Sequence, residues 1–328
     1  MKPAFNSTTP QMQKAIPAHV LVVSGNKEDQ TYKEVYDAGE LELPLQRGRV
    51  GGNLTNALLQ VLERKEIVTS EKNLSWVDML KRTKQILEGD GYSQLPQVAS
   101  SRRFPINTNN KPMNLFPESG GKKRALLIGI TYNGQLKPAW PHTNVERVKQ
   151  YLIKVHAFSP KNIDIQMDDG KAKNPTRTNL LSGMRRLAQA SQAGDAAFVL
   201  FCGHAGRVSD DETLVPIDFE TAGQIRPDEL YKNLICAMPA NTSLVCWMDL
   251  ANSGSVIDLP YVFSPKEEGR SELYENAAFE LSAVVGLAAV ATVAGVGASS
   301  GEGGGGGDGA EICCTSCCDG LFSELFGG

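Results

Sequence analysis

Apolar and polar positions alternate along this chain in two different rhythms. His19-Val-Leu-Val-Val-Ser-Gly25 is a short apolar run closed by a turn, which predicts a strand. The chain then turns polar and stays rich in Gly and charge up to Gly52. Leu54, Ala57, Leu58, Val61 and Leu62 fall on one face at helical spacing. Trp76, Met79, Leu80, Thr83, Ile86 and Leu87 do the same behind Ser75, a suitable N-cap. The stretch Pro96 to Asn114 holds Pro, Ser and Asn with few apolar residues and reads as an extended arm. Gly120-Gly121 then reads as a joint between modules.

Beyond that joint, strand and helix patterns alternate. Arg124 to Ile130 predicts a buried strand, Asn144 to Val155 a helix, and Asn162 to Met167 a half-buried strand. A helix over Thr178 to Ala190 packs through Leu180, Leu181, Met184 and Leu187. Asp195 to Phe201 is the next strand, Pro227 to Ile235 a short helix, and Thr242 to Met248 another buried strand. Continuous apolar strands separated by helices imply an α/β fold with a mostly parallel central sheet covered on both faces. In such sheets functional groups gather beyond the carboxyl ends of the strands.

Two strand-to-turn junctions then stand out, Phe198 to Gly206 around His204 and Leu244 to Ser255 around Ala251, the two residues lying 47 positions apart. Small neighbours (Gly203, Ala205 and Gly206) leave His204 open, as a general base requires. A turn histidine with structural hydrogen bonds is the simpler local reading. The partner site reverses it, because Cys–His peptidases of the caspase type place their histidine roughly 50 residues before the nucleophile. At that partner position Ala251 offers only a methyl group, which cannot deprotonate, attack or carry an acyl group. Ser253 lies two residues on, and a misplacement of ~1 Å already costs about 10²-fold. Cys246 lies inside its strand, and Cys202 is expected on the wrong side of the cleft. Asp249 is either a solvated turn residue or a partner for a cationic ligand side chain.

Composition narrows the rest. A net charge of -4 with scattered basic residues gives no reason to expect a nucleic-acid partner. Met1 to Pro10 has no apolar core of secretory length, so export is not expected. Cys202, Cys236 and Cys246 lie singly in apolar surroundings and read as reduced thiols of a cytoplasmic protein. Leu281 to Gly297 is almost long enough to span a bilayer but is Ala/Gly-rich and lacks flanking anchors, which favours a linker. Cys313, Cys314, Cys317 and Cys318 could be acylated, giving membrane attachment through the tail, could bind Zn²⁺, or could form a flexible tail, the default reading.

The motifs Phe201-Cys-Gly-His-Ala205 and Asp249-Leu-Ala-Asn-Ser-Gly254 resemble the Tyr-Ser-Gly-His-Gly and Asp-Ser-Cys-His-Ser-Gly motifs of the metacaspases, caspase-fold peptidases of family C14 that cut after Arg or Lys. Asn174 to Asn179, Val215 to Ile225 and Asp258-Leu-Pro-Tyr261 also look like that family's large-subunit (p20-like) text, over about 122 to 263. Val22 to Thr31, Leu54 to Leu59 and Tyr92 to Gln97 resemble its small-subunit (p10-like) region, which usually follows the large one. The order here is that of type III metacaspases. The resemblance therefore implies a caspase-like (caspase-hemoglobinase) fold in circularly permuted order. Residues 1–118 would be p10-like, 119–265 p20-like, and 266–328 an Ala/Gly-rich linker with a Cys-rich tail, both subunit-like regions forming one sheet.

Several residues depart from the family pattern. Ala251 stands in place of the catalytic Cys beside a retained His204, and Asn252 in place of the adjoining His. Of the family's two substrate-pocket acids, Asp249 remains and Asn144 replaces the other, which implies weakened selectivity for a basic side chain. Gln30-Thr-Tyr-Lys-Glu34 adds bulk and a positive charge near that pocket. The family's Ca²⁺ ligands match Asp211, Asp228 and Asp258, but Pro227 replaces one acid, so weak Ca²⁺ binding is the only cofactor implied. The resemblance points to a pseudopeptidase that regulates active metacaspases or binds Arg/Lys-containing peptides. The alternative is a calcium-dependent cysteine endopeptidase cleaving after Arg or Lys.

Overall fold

A computed structural model describes residues 10–27, 53–63, 74–92, 94–104, 106, 113, 115–116, 120–132, 140–209, 211–251, 256–265, 273–276 and 279. All belong to the unit Met1–Val293; the second unit, Ala294–Gly328, contains none of them. The Gln30–Glu34 segment, Asn252, Ser253, Leu281–Gly297 and the four tail cysteines thus lie outside the described residues. Among the described residues, no helix is long and apolar enough to cross a membrane.

The strands are β1 (His19–Lys27), β2 (Gln94–Ser100), β3 (Lys123–Gly129), β4 (Ile163–Met167), β5 (Ala196–Val208), β6 (Asp211–Leu214), β7 (Ser243–Ala251), β8 (Tyr261–Phe263) and β9 (Tyr274–Glu275). Their order is β4-β3-β5-β7-β1-β2-β8-β9, with β6 folded back on β5. The five strands from β4 to β1 run parallel, and β2, β8 and β9 continue the sheet antiparallel. The β1 strand of the first sequence block therefore pairs directly with β7 of the second, from His19↔Ser243 to Ser24↔Met248. One sheet runs through both blocks.

The segment expected to be an extended arm begins instead as β2, which pairs with β1 from Leu21↔Ser100 to Lys27↔Gln94. Its Pro96 lies outside the Val98–Ser100 stretch that pairs with β8, in keeping with the confinement of strand prolines to incompletely paired positions.

Helices cover both faces, as near-continuous apolar strands require. One face carries α1 (Pro10–Ala15) and, after two further helices in the chain, the helix Arg177–Ala190. The other carries α2 (Asn53–Leu62), α3 (Trp76–Gly89) and α4 (Trp140–Lys154). Arg177–Ala190 is α5. Ser75 caps α3 as expected, its Oγ accepting from the Asp78 N–H at 3.1 Å and donating to the Asp78 carboxylate at 2.8 Å. Helix α4 starts a turn earlier than the periodicity suggests, because Pro141 sits in its first turn, where a missing N–H costs no bond.

Helix α4 approaches β3 closely at Gly129. A Cβ there would sit 2.9 Å from both the Pro141 carbonyl oxygen and the Val145 Cγ2. Gly129→Val should therefore destabilise the protein by about 1–3 kcal/mol through overpacking. A urea unfolding midpoint equal to that of the unmodified protein would show that the helix is not seated this way.

Candidate functional site

The site is set by the ladder between β5 and β7. Its parallel register runs from Ala196↔Ser243 to Cys202↔Asp249, Gly203↔Leu250 and His204↔Ala251. The two junction residues therefore sit side by side at the carboxyl edge of the sheet. Alternation along each strand sends Cys202 and Asp249 to one face, the face covered by α2 and α4. His204 is not in a turn, as its glycine-rich surroundings suggest. Strand β5 continues through it to Val208, and β6 holds that extension by pairing Ala205↔Leu214 to Val208↔Asp211.

Tyr132, which local pattern does not mark, fixes the His204 backbone. Its hydroxyl accepts from the His204 N–H at 2.9 Å and donates to the Val215 carbonyl at 2.8 Å. The two rings lie 4.9 Å apart. Tyr132 holds φ at 55°, a conformation unusual for a bulky residue and costing of order 1–3 kcal/mol. Its place just past the carboxyl end of β3, in Gly129-Ile-Thr-Tyr132, was the available signal.

The His204 ring is largely buried, and its Nδ1 has no hydrogen-bond partner among the described residues. Burial alone lowers its pKa to about 4, so the ring is neutral near pH 7. In a working Cys–His pair a neighbouring thiolate would favour the imidazolium. Beside Ala251 there is none.

Asp249 is neither a solvated turn residue nor open to a ligand in this structure. It is 2% exposed. Its Oδ2 accepts from the Thr55 N–H at 3.0 Å and from the Asn144 amide at 3.0 Å, and the Leu54 N–H also bonds to it. A carboxylate thus sits at the N-terminus of α2, where the free N–H groups and helix dipole favour negative charge. Asn144, fully buried, reaches this carboxylate and the Cys202 sulfur at 3.8 Å, while its Oδ1 has no partner. The two residues expected to line a substrate pocket are in direct contact, and Thr55 from the first block closes over them.

Of the remaining thiols, Cys246 lies inside its strand as expected. Cys202 lies two residues before His204 on β5, on the face covered by α2 and α4. It is completely buried, with Thr55 and Asn144 against its sulfur, and burial together with the Asp249 carboxylate raises its pKa well above normal. It is held as an unreactive thiol. Cys246 belongs to the opposite face and lies five residues, roughly 16–17 Å, before Ala251 along the strand. Neither sulfur is presented to His204.

The acids proposed to hold Ca²⁺ are not gathered. Among the described residues, no group of three or more His, Cys, Asp or Glu side chains could hold a metal ion. Asp211 pairs with Arg226 at 2.6 Å, Asp228 is exposed, and Asp258 accepts from Asn276 at 3.4 Å. The arginine already supplies a cation to Asp211, and Ca²⁺ needs six to eight oxygens, so these residues do not fit the ion as arranged.

With this geometry in hand, the chain can be set beside known proteins. The profile of the metacaspase, peptidase C14 domain matches residues 123–260, a span that includes both His204 and Ala251. Metacaspase III c of Phaeodactylum tricornutum is 37% identical over 282 residues, covering 81% of this chain and 82% of that protein. Metacaspase-1 of Eremothecium gossypii is 34% identical over 177 residues, 50% of this chain and 39% of its own length. Metacaspase-1 of Schizosaccharomyces pombe is 35% identical over 158 residues, 44% of this chain and 37% of its own length. The chain thus spans well under half of these two fungal relatives.

Two measurements test the electrostatics. Burial pushes the Asp249 carboxyl above its ordinary range, with the bonds from Thr55, Leu54 and Asn144 pulling the other way. The folded protein then holds this proton more tightly than the unfolded chain, whose carboxyl titrates near ~3.9, so its ionisation costs stability as pH rises from there through the folded value. Asp249→Asn removes that loss. The variant's urea midpoint should improve relative to the parent as pH increases above about 4, and a pH-independent difference would contradict the burial. Separately, the His204 ring followed by NMR should titrate at about 4. Titration near the ordinary ~6.5 would mean that water reaches the ring.

Proposed function

Since the chain belongs to the metacaspase family, a family of caspase-like peptidases, we propose that it is a pseudopeptidase of that family: a protein that keeps the scaffold and the histidine but binds polypeptide without cutting it. The observation that carries this reading is the register His204↔Ala251, which pairs the histidine with a residue that has no nucleophilic group. A cysteine peptidase must form a thiolate, attack the carbonyl, carry the acyl group and release it to water. Alanine performs none of these steps, and the two fully buried thiols of the same sheet point elsewhere or are sealed under Thr55 and Asn144.

The burial of the His204 ring agrees with this reading. A neutral imidazole with an unpartnered Nδ1 can accept or donate a hydrogen bond to a bound peptide, but it has no ion-pair partner with which to start covalent chemistry. The placement of the first block before the second supports the permuted, type III-like order, with β1 standing directly beside β7. The ligands that suit the reading are peptides bearing Arg or Lys, or an active metacaspase for which this chain acts as regulator. Selectivity for the basic side chain would be weaker than in the family at large, because the Asp249 carboxylate is engaged by α2 and Asn144.

The test compares Arg- and Lys-containing peptides with this chain and with Ala251→Cys, each with and without Ca²⁺. The unmodified chain should bind without turnover, beyond residual acceleration of at most about 10³–10⁴-fold over water. Ala251→Cys should acquire labelling by a peptide electrophile, and its His204 titration should move upward from about 4. Efficient turnover by the unmodified chain would overturn the proposal. Loss of that turnover in Cys202→Ser would then identify the nucleophile.

A further inference from the structure

At the opposite edge of the sheet, where β1, β5 and β7 begin, the two sequence blocks enclose a cavity of about 540 Å³. Its polar lining comes from Gln13, His19, Arg102, Asn241, Thr242 and Ser243. The first three belong to the first block and the last three to the second, and the His19 N–H donates to the Thr242 carbonyl at 2.9 Å across that seam. The volume falls within the range of small-molecule sites.

Arg102 is the unusual member. Its guanidinium donates to the carbonyls of Ile16 at 2.6 Å, Pro17 at 3.3 Å and Ser101 at 3.1 Å. Its own N–H and C=O are tied to the Ser100 hydroxyl at 3.1 and 2.7 Å. The side chain is therefore held in place and partly withdrawn from water, yet among the described residues no carboxylate pairs with it. Burial accordingly lowers its pKa. Among the described residues, no acid lines the cavity. Asp195, which follows the lining residue Gly194, has both oxygens occupied, by Arg124 at 2.5 Å and by the N–H groups of Lys122 and Gln192 at 2.7 and 2.9 Å. An arginine held in place with no carboxylate partner among the described residues, beside the polar side chains of Gln13, Asn241 and Ser243, offers the chemistry by which guanidinium groups take phosphate or carboxylate, while the Thr242 hydroxyl and N–H are already given to the Pro239 carbonyl.

We propose that this cavity binds a small oxyanion, a phosphate or carboxylate group, against the Arg102 guanidinium. The site lies at the amino ends of the strands, away from the His204–Ala251 edge, and is independent of whether the chain cuts peptides. Because both blocks line it, the bound anion stabilises their union. It also stabilises the imidazolium of His19, whose pKa burial and the Arg102 charge hold at about 4.

The experiment is an NMR titration of the full chain with inorganic phosphate and, in parallel, acetate, each against sodium chloride of equal ionic strength. Saturable shifts of the Arg102 Nε–H and of the His19 ring are expected, with the His19 titration moving upward and the melting temperature rising with anion concentration. The stronger of the two anions identifies the group preferred. Arg102→Lys should retain binding and Arg102→Gln weaken it about tenfold or more. Gln13→Glu changes an exposed position, leaves the carbonyl clamps of Arg102 untouched, and should weaken binding to a similar degree by placing a fixed carboxylate in the cavity. It carries the test even if Arg102→Gln fails to fold. Shifts that chloride reproduces, or an affinity unchanged in Gln13→Glu, would overturn the proposal.

Discussion

The parallel ladder between β5 and β7 is the constraint on which the rest of the site depends. It begins deep in the core, where Ala196 to Phe201 and Leu244 to Met248 are almost wholly buried, and runs without a break to His204↔Ala251. Sliding one strand by a single residue would turn every side chain of that strand to the opposite face, exchanging Val245 and Trp247 for Leu244, Cys246 and Met248. The buried cores on both sides of the sheet forbid that exchange. The same packing that stabilises the sheet therefore dictates that His204 is paired with Ala251.

A second constraint joins the two blocks. Asp249 is a strand residue of the second block, yet its carboxylate closes the N-terminus of α2 in the first. The desolvation of that acid is offset by helix N–H groups and by the Asn144 amide, not by a free cation. An acid in the family's place would put a second negative charge against Asp249 at this depth, where like charges strongly disfavour joint ionisation. The asparagine relieves that repulsion and lets the pair persist without a ligand.

The three buried groups around the cleft all shift toward their neutral forms: His204 downward, Cys202 and Asp249 upward. Proteolysis by a Cys–His pair runs in the other direction, through a thiolate and an imidazolium that stabilise each other. Without the thiol, burial acts on the histidine unopposed. Neutral groups at these positions favour hydrogen bonding over charge separation. Tyr132, strained at positive φ and bonded to both His204 and Val215, holds the histidine backbone in a position that serves either use.

What this sequence determined by itself is local or periodic. The spacing of Leu54 to Leu62 and of Trp76 to Leu87, the apolar runs of β1, β3, β5 and β7, and the motif positions His204 and Ala251 could all be read in one dimension. That both blocks share one sheet followed from a parallel sheet edge that needed covering, while the partner strand, β7, came only with the structure. Only the tertiary structure decided which atoms meet. Pro96 and its polar neighbours conceal a strand because β2 owes its form to β1 and β8 rather than to its own propensity. The continuation of β5 through Gly203 and Gly206 depends on β6, and the burial of Cys202 beneath Thr55 and Asn144 depends on α2 and α4. Asp249 looks like a ligand for cations until Thr55, 194 residues away in sequence, arrives to bind it. Burial and hydrogen-bond partners are set by contacts between distant segments, and no local pattern of residue types encodes them.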